Sequence, residues 1–554
     1  MQSDEYKDPL ATSGCSLRLG VGEVDSALPY PSGRIAIRTC LAALLASCFL
    51  SPNPVQAADW AQYAGPSGDG SSPESVRTNW SQVPPRVLWR QPIGPGFSSI
   101  VTGGGKLFTQ SKQSTNIIDR ELCLALDAQT GLEQWRVDIG LAQYTDLAGY
   151  DKHVDGPRST PSIDGEFVYV VNSRLKLYCL RAATGVEVWS RDFKAELGSQ
   201  LIQWENAASP LLIGDLILLN INAGTKKLIA VQKSNGATVW RAEDVGMTHA
   251  TPVVARIGDV LQVVFLTSKG LVAVVPETGS VLWRVAFSPS GISTAASPVV
   301  SGDFIHASAT YGSGTWLARV SKSDSGFSAA TLTGFPRRGT DYQCHWSTPV
   351  MQGGDIYAIP GPSSDQAKLV CFDPVAGTNR WTQSIVGSGK IGFGSVIGAA
   401  NVLIVMTENG ELALVHPDSA GYKPIGKFKV LKQLCWNRST LANGRIYARN
   451  SALLSEIVAV DVAPPLPPLP PFSIEADRLP NGDLHLEVRS QDETPLETGH
   501  GQQLELVSST DLTKPLTDWT VATVAWTLRD GRLQADLSLL DTPVNFIRVR
   551  EIAR

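Results

Sequence analysis

The side chains of this 554-residue chain that could do chemistry are scattered along it, yet they share a setting. Arg158, the pair Glu205-Asn206, His249, the pair His345-Trp346 and Trp436 each fall just ahead of a short β-rich run, as do Phe97 and Phe393. His249 and His345 could meet at a metal, but zinc sites take three or four protein ligands and no third is placed, so no metal is expected. Aromatics with a few convergent polar groups are what a ligand-binding concavity presents. They are equally what a plug of mutually satisfied side chains presents, and both readings stand. None of these residues is assigned a catalytic role.

Residues so far apart converge only if the runs behind them surround a common centre, and internal repeats say how. ALDAQTGLEQWR (125–136) recurs as CLRAATGVEVWS (179–190), AVQKSNGATVWR (230–241), AVVPETGSVLWR (273–284) and CFDPVAGTNRWT (371–382). Each carries Gly and Trp four apart: Gly131/Trp135, Gly185/Trp189, Gly236/Trp240, Gly279/Trp283 and Gly377/Trp381. Copies around Gly326 and Gly421 lack the Trp. A second series, eight members from SSIVTGGGKLFTQ (98–110) to STLANGRIYARN (439–450), reads as hairpins: β-rich run, Gly/Asp turn, β-rich run. Hairpin plus strand–turn–strand makes four strands, and a period of 43 to 54 residues (131, 185, 236, 279) fits a propeller blade. Gly supplies positive φ in the turn, while Asp127 or Thr130 can bond its free N–H groups. One blade cannot bury both faces, so the ring must close. The last unit lacks a Trp strand, and VLWRQP (87–92) is such a strand without a unit. Residues 58–462 are therefore expected to form an eight-bladed β-propeller whose eighth blade is completed by 87–92. Trp89, Trp135, Trp189, Trp240, Trp283 and Trp381 would be structural docking residues.

The pattern resembles the pyrroloquinoline-quinone-like propeller repeat with its tryptophan-docking motif, A-x-D-x-x-T-G-x-x-x-W. That family includes alcohol-oxidising quinoproteins and the lipoprotein of the outer-membrane β-barrel assembly machinery. DWAQYAGPSGDG (59–70), GPRSTP (156–161) and CWNRSTLANGRIYARN (435–450) also look like a group of exported proteins of planctomycete- and verrucomicrobia-like bacteria. The resemblance implies a fold more than a function. Quinoproteins of the family clamp the quinone between a Trp and a ring of adjacent cysteines, hold Ca²⁺ with Glu, Asn and Asp, and use an Asp base. Here Trp346 could stack, Arg158 could face carboxylates and Glu205-Asn206 could offer oxygens. No adjacent cysteine pair, CxxCH haem motif or identifiable Asp base is present.

The ends read differently. Within 1–57, Arg34 and Arg38 precede the apolar run TCLAALLASCFL (39–50) and the small-residue site ending at Ala57, the order of a secretory signal. Leu45-Ala46-Ser47-Cys48 offers lipidation at Cys48 instead, and the run is too short to span a bilayer. Five cysteines follow Ala57 (Cys123, Cys179, Cys344, Cys371, Cys435), an odd set read as buried thiols. APPLPPLPP (463–471) is a stiff spacer, and 472–554 alternates as a small β-sandwich-like module suited to adhesion or packing.

A formal net charge of −5 with 18% charged residues leaves no electrostatic footprint for nucleic acid. The expectation is an all-β, periplasmic or secreted, non-catalytic scaffold that binds a protein or polymer partner in the envelope. It would carry no cofactor and no transmembrane helix in its mature form. The alternative is an oxidoreductase using pyrroloquinoline quinone and calcium.

Overall fold

The computed structural model describes residues 59–551 except 116–117, 145–153, 290–293, 311, 333–334, 337–342, 362–367, 385–392, 433, 453, 465–468, 497, 502, 511–512, 516–517, 523, 525 and 538–545. The signal-type segment, with its cleavage and lipidation positions, and the middle of the proline-rich run lie outside the described residues. The chain divides into two compact units, Val55–Pro464 and one holding Pro465–Arg554.

The larger unit is a β-propeller of four-stranded antiparallel sheets. Seven follow one another over 101–141, 162–192, 211–242, 253–286, 299–331, 350–384 and 394–429. An eighth takes three strands from 440–461 and its outermost from Arg86–Pro92. That strand runs antiparallel to Glu456–Asp461 with Trp89 opposite Ala459, so the two ends of the unit meet in one sheet.

Why the repeat needs both Gly and Trp is visible at the seams. Within a sheet each docking Trp lies opposite a small residue: Ala125, Cys179, Ala230, Ala273, Cys371 or Ala459. In all but Trp283 the indole then reaches the next sheet, where Nε1 donates to a turn carbonyl: Trp89 to Ala128, Trp135 to Ala182, Trp189 to Lys233, Trp240 to Pro276 and Trp381 to Asp418, at 2.7–3.2 Å. For Trp89, Trp135, Trp189 and Trp240 the turn glycine of that next sheet receives the ring face. A Cβ on Gly236 would lie 2.8 Å from Trp189, and one on Gly279 2.5 Å from Trp240. The turn glycine thus serves two needs, a positive φ (71° and 70° here) and room for a neighbour's indole. Asp127 closes its turn as expected, accepting from the N–H groups of Gln129 and Thr130 and from the Thr130 hydroxyl. The cysteines opposite Trp189 and Trp381 stand where other sheets have alanine. All five are buried and free, with burial pushing each thiol up to about 12.

Around the shaft the sheets are joined by a second device, which the sequence reading missed. Just ahead of five of the innermost strands a Ser or Thr hydroxyl accepts from the backbone N–H at the matching position of the sheet before. Ser99 N–H donates to Thr160 Oγ1, Thr160 to Ser209 Oγ, Ser209 to Thr251 Oγ1, and Ser297 to Thr348 Oγ1, at 2.9–3.0 Å. Arg438 N–H, in the eighth sheet, donates to Ser99 Oγ and links that end of the relay to the first sheet.

The segment 59–77 crosses the end of the shaft where the innermost strands finish. Trp60 exchanges hydrogen bonds with Thr102, Ala61 O accepts from Ile163, the Tyr63 hydroxyl meets Thr348 Oγ1, and Gly70 and Ser72 bracket Gly398. Glu74 accepts from the N–H groups of Asn443 and Gly444, and Arg77 N–H donates to Val462 O. Five sheets are thereby tied by one short arm.

The smaller unit has a four-stranded sheet (Phe472–Arg478, Leu484–Ser490, Arg532–Leu537, Thr527–Arg529) and a three-stranded one (Thr520–Ala522, Leu504–Ser509, Phe546–Glu551). Both feed one core that includes Leu486, Val488, Leu506, Leu533 and Val549.

Candidate functional site

The residues just ahead of the innermost strands gather at the other end of the shaft. Phe97 stacks on Trp436 (centroids 5.4 Å, planes 15° apart), and Trp436 lies 4.9 Å from Trp346. Trp346 packs on Phe393 at 3.9 Å, and His345 meets Trp346 edge-on at 4.1 Å. Trp436 Nε1 donates to a carboxylate oxygen of the buried Glu408 at 2.9 Å. Four sheets thus contribute rings to one continuous aromatic cluster. Such pairs prefer offset or tilted contact and gain roughly 0.5–1.5 kcal/mol each beyond area burial.

Arg158 lies beside this cluster. Its guanidinium is capped by the rings of Phe97, Tyr144 and Trp204 at 5.3–5.8 Å, pairs with Asp155 at 2.7 Å, and donates to Trp204 O. Behind it the fully buried Glu121 accepts from the Tyr144 hydroxyl (2.6 Å) and from Ser173 N–H (3.0 Å). Burial raises the Glu121 carboxyl pKa, and those two hydrogen bonds and the nearby guanidinium only partly offset this.

His249 Nε2–H donates to Gln203 O at 2.8 Å. Burial, with the positive charge of Arg158 adding to it, lowers the imidazole to about 4. His345 is lowered by burial to about 3, with repulsion from His249 adding to it. Both rings are therefore neutral near pH 7. Trp204 and Glu205 both have positive φ (69° and 55°), a backbone state that non-glycine residues adopt at a cost of order 1–3 kcal/mol each and that clusters at functional sites.

Of the residues singled out from sequence, Arg158, His249, His345, Trp346 and Trp436 come together, with Phe97 and Phe393. Glu205 is buried next to them. Asn206 turns into the framework, its amide donating to Ala208 O and Asn172 O. Glu121, Tyr144, Asp155, Trp204 and Glu408 were missed. The one signal, for Glu121 alone, was the charged pair Arg120-Glu121 at the head of the apolar strand RELCLALD (120–127). Among the described residues no three His, Cys, Asp or Glu side chains are grouped to hold a metal.

The family model described as outer membrane protein assembly factor BamB matches residues 119–335. Among solved structures, BamB from Moraxella catarrhalis is 17% identical, covering 68% of this chain and 97% of that one with a TM-score of 0.44. Quinohemoprotein alcohol dehydrogenase from Comamonas testosteroni is 13% identical, covering 76% and 83% with a TM-score of 0.51. The alcohol dehydrogenase ADHIIG from Pseudomonas putida HK5 is 12% identical, covering 74% and 82% with a TM-score of 0.49. No curated protein matches the chain. At such identities structural likeness speaks for the fold alone. The family match over 119–335, the repeat and the sheet topology together support a β-propeller of the pyrroloquinoline-quinone-like repeat type.

Proposed function

We propose that this protein is a non-catalytic propeller scaffold of the cell envelope that binds a protein or polymer partner. The observation that carries this reading is that its own side chains fill the mouth of the shaft. A planar quinone needs an open ring face on either side, and Trp346 already has Phe393 at 3.9 Å and Trp436 at 4.9 Å. The positive charge that would receive a carboxylate, on Arg158, is already matched by Asp155. Calcium takes six to eight oxygens, whereas the Asn206 amide is committed to strand backbone. The residues present do not fit the quinone and its calcium, and no redox step is derived through them. The envelope setting rests on the signal-type N-terminus and on the matched family's description. No helix among the described residues is long and apolar enough to cross a membrane.

Titrating the purified protein with pyrroloquinoline quinone and Ca²⁺ tests this reading. Tryptophan fluorescence is expected to show no saturable quenching. Saturable quenching that disappears in Trp346→Ala and Arg158→Ala would overturn the scaffold in favour of an oxidoreductase.

A further inference from the structure

The arm 59–77 covers part of the shaft end, and what it leaves bare is the same kind of surface that it binds. In an antiparallel pair alternate residues turn N–H and C=O away from the partner strand, and for an innermost strand that direction is the shaft. Three residues on from Ser99, Thr160 and Ser395, the inward groups belong to Thr102, Ile163 and Gly398. The arm takes all three N–H groups: Thr102 donates to Trp60 O, Ile163 to Ala61 O and Gly398 to Gly70 O. Gly398 O also accepts from Ser72 N–H, which makes Ser71 the parallel-bridge partner of Gly398. The arm is thus held by edge pairing, main chain to main chain.

The same position in the third to sixth sheets falls on Leu212, Val254, Val300 and Met351, three residues on from Ser209, Thr251, Ser297 and Thr348. Their hairpins close at Ile213 with Leu216, Ile257 with Val260, Ser301 with Phe304 and Gln352 with Asp355. That register turns these four N–H groups toward the shaft. Among the described residues none of the four has a hydrogen-bond partner, and the arm makes no hydrogen bond to the third, fourth or fifth sheet. Burial follows the same division. Thr102, Ile163 and Gly398 are buried, whereas Leu212, Val254, Val300 and Met351 are partly exposed, as is Ile213 beside them. An unpaired, apolar strand edge is a template for another extended chain.

We propose that this uncovered arc, from the third sheet to the sixth, docks one extended apolar segment of a partner protein by main-chain pairing. The inference rests on the scaffold reading above and names its docking surface. The occupant is a polypeptide because inward N–H and C=O groups on successive strands are met by another main chain, and the arm makes that fit on the adjoining sheets. It is apolar because the exposed side chains flanking those groups are Leu212, Ile213, Val254, Val300 and Met351.

The probe is a library of random twelve-residue peptides displayed on phage and panned on the purified protein. Enriched peptides are expected to be rich in apolar residues and, in co-crystals, to set their carbonyls against the N–H groups of Leu212, Val254 or Val300. Proline is tolerated on a strand edge whose N–H is unpaired, so Val254→Pro and Val300→Pro should keep the parent unfolding midpoint. Each is expected to weaken the peptides about tenfold, as loss of one main-chain hydrogen bond would. Should one variant fail to fold the other decides, and should both fail the co-crystal decides alone. Peptides that bind both variants undiminished, or a library from which none enriches, overturn this docking surface; the scaffold reading stands or falls separately, on the quinone titration. A dimer in sedimentation that Val300→Pro dissolves would make a second copy's arm the occupant and overturn the partner assignment.

Discussion

The seams from the eighth sheet round to the fourth and those flanking the fifth and seventh sheets solve the same problem with different parts. In the first set an indole lies on a turn glycine and bonds the neighbouring turn, from Trp89 to Gly131 through Trp240 to Gly279. In the second, Trp283 finds no such glycine. A Cβ on Gly326 would meet nothing within 4 Å, and the Trp283 Nε1 turns back to Gln262 Oε1 in its own sheet at 2.7 Å. The fifth sheet offers the sixth a Phe in place of Trp, Phe335 facing Gly377. Trp381 keeps its carbonyl bond to Asp418, but a Cβ on Gly421 would also meet nothing. The difference teaches that the Gly–Trp motif encodes a contact between sheets. Where one partner is lost, the constraint on the other is lifted.

That comparison can be broken most directly at Trp240. Trp240→Ala removes a buried ring that docks on Gly279 and bonds Pro276 O, and is expected to cost about 3–5 kcal/mol. Chemical denaturation of the variant checks this, and an unchanged midpoint would mean the seam bears no load. Gly279→Ala should follow at about 2–3 kcal/mol, because the new Cβ strains the positive φ and pushes the Trp240 indole off its seat. Gly326→Ala meets only the first of these costs and should lose about 1 kcal/mol. Equal losses at Gly279 and Gly326 would remove the distinction.

Acid sharpens it from another side. His249, His306 and His345 are buried and neutral, lowered to about 4, 4 and 3. The unfolded chain binds their protons first, so stability is full above about pH 6.5 and falls as the pH drops toward 4. Each should forfeit on the order of 1–2 kcal/mol by pH 5. His306 lies in the fifth sheet, tilted against Phe372 and away from the mouth. His306→Gln should flatten the pH dependence of the unfolding midpoint by its share. An unaltered slope would place the acid sensitivity elsewhere.

The sheets were legible because their signals are local: a hairpin pattern, a turn glycine and a Trp at fixed spacing. The strand 87–92 could be assigned because a unit without a strand and a strand without a unit fit each other. The first strand of the smaller unit, FSIEADR, was not singled out, since its apolar positions are only Ile474 and Ala476 after Phe472. At the mouth the positions were readable and the partners were not. Arg158 could be placed beside the shaft, but its pairing with Asp155 and its caps Tyr144 and Trp204 depend on loops with no repeat to align them. The hydroxyl relay was written in the sequence as the S/T of STP, ASP and ATP, to which the hairpin reading gave no role. Only the sheet-to-sheet register turns it into a chain of bonds. The arm 59–77 has no periodicity, because each contact is with a different sheet.

The smallest effect is also the most discriminating. Gly421 occupies the same repeat position as Gly279, in a turn following an Asp, ahead of an outermost strand. No ring from the sixth sheet lies on it, and unlike the other turn glycines it has no positive φ. Ala at such a position narrows the unfolded ensemble without straining the folded one, an effect of roughly 0.4–1 kcal/mol in favour of the native state. Gly421→Ala is therefore expected to leave the denaturation midpoint unchanged or slightly raised, while Gly279→Ala lowers it. The substitution is identical and the repeat position is the same; only the neighbour's indole and the backbone angle differ. A loss at Gly421 comparable to that at Gly279 would show that the repeat constrains its glycines locally, and the docking account of the motif would have to be given up.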